Sequence, residues 1–98
     1  MTYTEHLLTI LAEECAEVAQ RASKALRFGL EEIQPGQTLT NAQRIMEEYD
    51  DLRAVVELCS VRGMMPMPDD WRVKAKQQKI DQYLRYSQQQ GTLTETKG

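Results

Sequence analysis

Apolar side chains recur at steps of three and four residues along three separate segments of this 98-residue chain. That period places them on one face of an α-helix, and no stretch alternates polar and apolar residues as a half-buried strand would. Glycine and proline interrupt the pattern within residues 29–36 and 63–68. The sequence therefore predicts an all-α fold, in which a helical hairpin is followed by a third helix.

Helix-start signals precede each segment. Thr2 with Glu5, and Thr40 with Gln43, match the capping box, in which two side chains satisfy the first backbone N–H groups of a helix. Asp69 or Asp70 can cap the third helix. We expect helices over about residues 4–27, 40–62 and 71–88, within a single domain of residues 1–90. The polar stretch 91–98 predicts a disordered tail.

The same periodicity predicts which side chains are buried. Cys15 and Cys59 fall in apolar stripes and lack the spacing of a metal or redox motif, so we expect two buried, reduced thiols. Val73, Ile80 and Leu84 are expected to line the inner side of the third helix.

Charge and hydropathy exclude some classes of partner. The net charge of -3 argues against general binding to a nucleic-acid polymer, which favours a basic surface. No apolar run approaches the roughly 20 residues that a membrane span requires, and no secretory leader is visible. We therefore expect a cytoplasmic protein without a membrane partner.

Two acidic runs lie at matching places on the first two helices. Residues 13–17 read Glu-Glu-Cys-Ala-Glu, and residues 47–51 read Glu-Glu-Tyr-Asp-Asp. On a helical wheel, Glu48 lies within about 40° of the apolar centre of its helix, and Asp51 lies at the edge of that stripe. Glu14 is next to the stripe of the first helix, with Glu17 on its flank. Each run therefore directs one pair of acids toward the hairpin interior.

Acids at inward positions are unusual, because Asp and Glu are rarely buried without partners. Four converging carboxylates would repel one another unless a cation neutralised them, and carboxylate oxygens are preferred by Mg²⁺. The alternative is that these acids are solvated on amphipathic helices. Each would then pair with a nearby base: Arg21, Lys24, Arg44 or Arg53.

The acidic pattern resembles that of the MazG-like nucleotide pyrophosphohydrolases, an all-α family. The family motif reads Glu-Glu-x-x-Glu, then a spacer, then Glu-x-x-Asp, and it matches residues 13–17 and 48–51. The resemblance covers about residues 5–87. Two features depart from the family pattern: the spacer of 30 residues is long, and Asp50 stands where a small residue is common.

The resemblance implies hydrolysis of a nucleoside or deoxynucleoside triphosphate to the monophosphate and pyrophosphate. It also implies that Glu14, Glu17, Glu48 and Asp51 hold Mg²⁺, with Mn²⁺ as an alternative. Its members form dimers or tetramers whose helices pair into four-helix bundles. A homo-oligomer is expected for this chain on independent grounds, because three short helices cannot enclose a deep pocket.

Further roles follow if this reaction is assumed. Glu13 or Glu17 is a candidate to accept the proton of the attacking water. Trp71 or Tyr83 could stack on the base, although either is equally compatible with packing. The phosphate oxygens require cationic partners. The alternative is that the candidate residues only form a solvated lysine-rich face. The candidates are Lys24, Lys76, Lys79 and Arg85.

A protein without catalysis is the main competing interpretation. A helical interaction module could keep this fold and use Met64, Met65 and Met67 as an adaptable contact surface. A nucleotide sensor, which binds a triphosphate without turning it over, is a third interpretation.

Overall fold

The computed structural model describes residues 1–94, which contain three α-helices and no strand. Helix α1 spans Tyr3–Phe28, α2 spans Asn41–Val61 and α3 spans Asp70–Gln89. Each bound lies within one residue of the sequence prediction, so the all-α fold and its three helices are confirmed. None of these helices is long and apolar enough to cross a bilayer.

Both predicted capping boxes are present. The Thr2 hydroxyl accepts a hydrogen bond from the Glu5 backbone N–H, and the Glu5 carboxylate accepts one from the Thr2 backbone N–H. Thr40 and Gln43 make the same reciprocal pair at the start of α2. The Thr2 hydrogen bonds favour the charged form of Glu5 and lower the pKa of its carboxyl group. These local bonds fix where α1 and α2 begin.

The segment between α1 and α2 is held by backbone and amide hydrogen bonds. Gly29 ends α1 at a φ of +99°, a value that residues with a β-carbon rarely adopt. The Asn41 backbone N–H donates to the carbonyl of Glu32 at 2.9 Å, and the Ala42 backbone N–H donates to that of Leu30 at 3.0 Å. These bonds turn the chain, so that the first turn of α2 lies against the end of α1.

The core of the hairpin is small and lies toward the end that is remote from this loop. Leu7, Val55 and Cys59 are buried, and four partly buried side chains pack against them: Leu11, Leu52, Met64 and Met65. Of the three methionines offered as a contact surface, Met64 and Met65 are partly buried against this core, and Met67 is exposed.

The open end of the hairpin is fastened by Tyr3 and Arg62. The Arg62 Nη2 donates to the Tyr3 hydroxyl at 2.8 Å, and its guanidinium carbon lies 4.2 Å from the centre of the Tyr3 ring. The cation and the ring therefore make a hydrogen bond and a cation–π contact at once. This pair joins the start of α1 to the residue that ends α2.

Only one of the two thiols is buried as predicted. Cys59 is fully buried, whereas Cys15 is exposed, and both are free. The inward positions at this level of α1 are taken by Glu14 and Val18, which are half-buried. One residue corresponds to about 100° of helical rotation, so Cys15 faces away from the position held by Glu14.

The chain divides into two compact units, Met1–Met67 and the part that begins at Pro68. The second unit contains α3, none of whose residues is buried. Val73, Ile80 and Leu84, which were predicted to line an inner side, are not covered by residues of this unit, since each is about half exposed. The helical period identified an apolar stripe but did not establish that anything covers it.

The end of the described chain folds back on α3. The backbone N–H groups of Thr92 and Leu93 both donate to the carbonyl of Ser87, at 3.0 and 3.2 Å. A disordered tail was predicted over residues 91–98, and residues 95–98 of that stretch lie outside the described residues.

Candidate metal centre

The two helices of the hairpin place polar residues at inward positions spaced by seven. On α1, Leu7, Glu14 and Arg21 follow one another at that interval, which returns to nearly the same side of a helix. On α2 the corresponding residues are Asn41, Glu48 and Val55. Because the helices are antiparallel, Leu7 and Val55 meet in the core, and Glu14 and Glu48 meet at the next level.

Three carboxylates converge at that level. One oxygen from each of Glu14, Glu17 and Glu48 lies within 4.8 Å of the others, and we call this set the carboxylate group. Glu14 and Glu48 are half-buried, whereas Glu17 is exposed. The group thus has an inner side, formed by two helices, and an outer side that is open to solvent.

Two oxygens of the carboxylate group are buried without a hydrogen bond. They are Glu14 Oε2 and Glu48 Oε2, one from each helix. A buried polar atom that lacks a partner is destabilising, because the hydrogen bonds that it made to water are not replaced. Both oxygens therefore have unused acceptor capacity inside the hairpin.

The environment raises the pKa of both inner carboxyl groups. For Glu14 the largest cause is burial, followed by the negative charges of Glu17, Asp51 and Glu13. For Glu48 the pKa is raised first by a hydrogen bond with the Glu17 side chain, then by burial and the neighbouring charges. Two carboxyl groups can hydrogen-bond only when one of them is protonated, so the contact favours the neutral acid. Burial and the neighbouring negative charges thus make the ionised forms of Glu14 and Glu48 unfavourable.

The remaining predicted acids lie around the group rather than within it. Asp51 is exposed and lies outside the three-residue set, although its charge raises the pKa of both Glu14 and Glu48. Glu13 is also exposed, and its charge acts on Glu14. Three of the four predicted metal ligands are thus brought together. The fourth, Asp51, lies close enough for its charge to affect the pKa of Glu14 and Glu48.

Nearby bases do not neutralise these acids. The ion pair within residues 1–94 joins Arg53 to Glu57, on α2, and Arg44 donates to the Gln34 side chain instead. Arg21 Nη1 is buried without a hydrogen-bond partner. In the described chain, no ion pair joins these acids to Arg21, Lys24, Arg44 or Arg53, as the alternative interpretation required.

The predicted substrate-binding residues fall in two places. Lys24 is half-buried on α1, two turns beyond Glu17. The others lie on α3 in the second unit, where every one is exposed: Trp71, Lys76, Lys79, Tyr83 and Arg85. Trp71 is 83% exposed and lines an open depression with Asp70 and Lys74, so its ring is not used for packing within that unit.

Two inward polar residues were not assigned a site role from the sequence. Asn41 is 1% exposed, and its Nδ2 donates to the carbonyl of Gly29 at 2.8 Å and to the Glu32 carboxylate at 2.9 Å. Its Oδ1 remains buried without a partner, like Arg21 Nη1. The spacing of seven from Glu48 and Glu14 was the available signal for both residues.

The chemistry of the carboxylate group fits a divalent cation. Opposite ligand oxygens on Mg²⁺ are about 4.2 Å apart, given Mg–O distances of about 2.1 Å. Adjacent ligand oxygens lie about 3.0 Å apart, so the three oxygens, which lie within 4.8 Å of one another, would have to move closer together to bind one ion. A cation there would give the two unpaired oxygens a partner and would relieve the repulsion that raises the pKa of Glu14 and Glu48.

Comparison with known proteins adds no assignment. The chain matches no family model, no curated protein and no solved structure.

Proposed function

We propose that this protein is a Mg²⁺-dependent hydrolase that converts a nucleoside triphosphate or deoxynucleoside triphosphate to the monophosphate and pyrophosphate. The supporting observation is the carboxylate group, to which α1 and α2 each contribute one buried oxygen that has no hydrogen-bond partner. The Glu-Glu-x-x-Glu and Glu-x-x-Asp patterns that carry these acids resemble those of the MazG-like pyrophosphohydrolases.

In this proposal Glu14, Glu17 and Glu48 hold Mg²⁺, and Asp51 completes the set from the exposed rim. A bound Mg²⁺ neutralises phosphate charge and lowers the pKa of a coordinated water. The protein contributes position and electrostatics, because phosphoryl transfer of this kind depends on both rather than on covalent catalysis. Glu17, within the group, and Glu13, beside it, are the candidates to accept the proton of the attacking water.

Cationic and aromatic residues would bind the rest of the substrate. Lys24 is on the same helix as two of the proposed metal ligands. Lys76, Lys79 and Arg85 of α3 are exposed in the second unit, and their role toward phosphate oxygens stays a prediction from the sequence. Exposed Trp71 and Tyr83 offer ring faces on which a base could stack.

A homodimer or homotetramer, in which hairpins pair into four-helix bundles, is part of the proposal. Its support is the amount of apolar surface that the first unit exposes, since large exposed apolar areas commonly mark association sites. Leu8, Ile10, Met46, Tyr49 and Leu58 are each more than 40% exposed on α1 and α2. Burial of these side chains against a second hairpin would extend the small core cluster of Leu7, Val55 and Cys59.

Pyrophosphate release tests the proposal. The purified protein is incubated with Mg²⁺ and a panel of ribo- and deoxyribonucleoside triphosphates, and products are separated by ion exchange. We expect monophosphate and pyrophosphate in equal amounts from at least one substrate. Glu48→Gln should reduce the rate at least about 100-fold, more than the loss of an outer-sphere partner commonly costs. The control Glu47→Gln alters an adjacent, exposed acid outside the group and should retain the rate.

Two outcomes oppose the enzyme assignment. Binding of a triphosphate without turnover would support a sensor instead. Equal activity of Glu48→Gln and the unmodified protein would exclude the carboxylate group as the catalytic centre.

A further inference from the structure

Arg21 is an inward-facing cation to which the fold gives no partner. It is half-buried on α1, and it makes no hydrogen bond or ion pair with another residue of the described chain 1–94. Its Nη1 is shielded from solvent. A guanidinium nitrogen in that position has lost water without gaining an acceptor, which is destabilising.

The missing ion pair is not explained by spacing. Glu17 precedes Arg21 by four residues, the arrangement that favours a helical ion pair. Arg53 and Glu57 have the same spacing on α2, with the order reversed, and they do pair. The charge of Arg21 is also not among the causes that shift the pKa of Glu14 or Glu48. Arg21 therefore does not serve to neutralise the carboxylate group.

The register of α1 relates Arg21 to that group. Arg21 follows Glu14 by seven residues on the same side of the helix, which corresponds to about 10 Å along the axis. A ligand that occupies both positions must present a cation to Glu14 and an anionic oxygen to Arg21. A phosphate chain that carries a divalent cation has this polarity, and a guanidinium binds phosphate through two parallel hydrogen bonds.

We propose that Arg21 is a substrate-binding residue that hydrogen-bonds the phosphate chain of a triphosphate whose cation is held by the carboxylate group. This inference rests on the proposed function and adds to it a second phosphate contact from the hairpin, beside that proposed for Lys24. Arg21 supplies donors, and the phosphate oxygens are the acceptors that its buried nitrogen lacks.

Inorganic tripolyphosphate is the probe, because it contains the phosphate chain and no nucleoside. Its affinity for the full-length protein is measured by calorimetry in saturating Mg²⁺, and the affinity for Mn²⁺ alone is measured by electron paramagnetic resonance. Arg21→Gln should weaken tripolyphosphate binding about 10- to 100-fold, the cost of one charged hydrogen bond. Mn²⁺ affinity should remain within about twofold, because Arg21 does not shift the neighbouring carboxyl groups.

Two further variants exclude a merely structural effect. Arg21→Lys keeps the charge and should recover part of the affinity. Arg27→Gln removes the same charge from the exposed last turn of α1, where Arg27 lies over the Phe28 ring, and should bind as the unmodified protein does. If Arg21→Gln does not fold, the comparison of Arg21→Lys with Arg27→Gln decides, with a weaker affinity expected only for the lysine variant.

The measurements distinguish loss of the Arg21 contact from absence of the metal centre. Unchanged tripolyphosphate affinity in the Arg21 variants, or absence of tripolyphosphate binding to the unmodified protein, overturns the role of Arg21. A loss that appears with nucleoside triphosphate but not with tripolyphosphate also overturns it, because the contact would then be to the nucleoside. Absence of Mn²⁺ binding to the unmodified protein overturns the metal centre instead.

Discussion

Glu14 and Glu48 approach each other across the interface of α1 and α2, and each keeps one buried carboxylate oxygen without a hydrogen-bond partner. They occupy inward positions that Leu7 and Val55 occupy two turns away. The hairpin thus places charge where its own pattern would place apolar side chains. Charge at these positions weakens the core, but a bound ligand that neutralises the repulsion would restore stability.

Removal of charge from Glu48 should stabilise the protein in the absence of metal. Glu48→Gln keeps the shape of the side chain and ends its repulsion with Glu14, Glu17 and Asp51. We expect a higher Tm than that of the unmodified protein in a chelating buffer, measured by circular dichroism at neutral pH. With Mg²⁺ in excess the order should reverse, because only the unmodified protein gains binding energy. A lower Tm in chelator would show that the charge of Glu48 is not strained.

The stability of the metal-free protein should decrease as pH rises. The pKa of Glu14 and that of Glu48 are raised in the folded state, so between the ordinary glutamate pKa and these raised values the folded protein binds more protons than the unfolded chain does. Stability then falls as pH rises through that window and levels off above it. Urea unfolding across this range measures the effect, and Glu14→Gln/Glu48→Gln should flatten the profile. A profile of the same slope in that double variant would contradict the assignment.

Asn41→Ala should loosen the connection between α1 and α2. The variant loses the hydrogen bonds to the Gly29 carbonyl and the Glu32 carboxylate, each within 2.9 Å. We expect the free energy of unfolding to fall by about 2 kcal/mol, as for other buried polar groups whose partners are left unpaired. Limited proteolysis should then cut within residues 29–40 more rapidly. Gln37→Ala, at an exposed position in the same loop, is the control and should change neither quantity.

The two thiols should react at different rates. Cys15 is exposed and Cys59 is fully buried among Leu7, Val55 and the neighbouring methionines. Alkylation of the native protein followed by mass spectrometry should yield one adduct on Cys15, and a second adduct only after denaturation. Modification of Cys59 at the rate of Cys15 would show that the core is open in solution.

The sequence predicted what depends on nearby residues. The capping boxes at Thr2 and Thr40 act over three residues, so the starts of α1 and α2 followed from local chemistry. The helical wheel likewise placed Glu48 inward and Asp51 at the edge of the stripe, and the structure has Glu48 half-buried and Asp51 exposed. Periodicity therefore gave the register of the acids.

Other features depend on contacts that periodicity does not describe. The apolar stripe of α3, with Ile80 and Leu84, is not covered within its own unit, and a helical pattern does not specify what covers it. Pairing of Arg21 with an acid was the alternative that the sequence left open, and only its side-chain conformation shows that it makes no such pair. Asn41 was given no role from the sequence, and its hydrogen bonds to the carbonyls of Gly29 and Glu32 depend on the path of the loop.

The most direct test of the carboxylate group is a titration with Mn²⁺ followed by electron paramagnetic resonance, without substrate. The unmodified protein should bind Mn²⁺ with an affinity that Mg²⁺ competes away. Glu14→Gln and Glu48→Gln should each weaken binding at least about 10-fold, since each removes an oxygen ligand. Glu47→Gln should leave the affinity unchanged. Equal affinities in all four proteins, or no binding in the unmodified protein, would contradict a metal centre between α1 and α2.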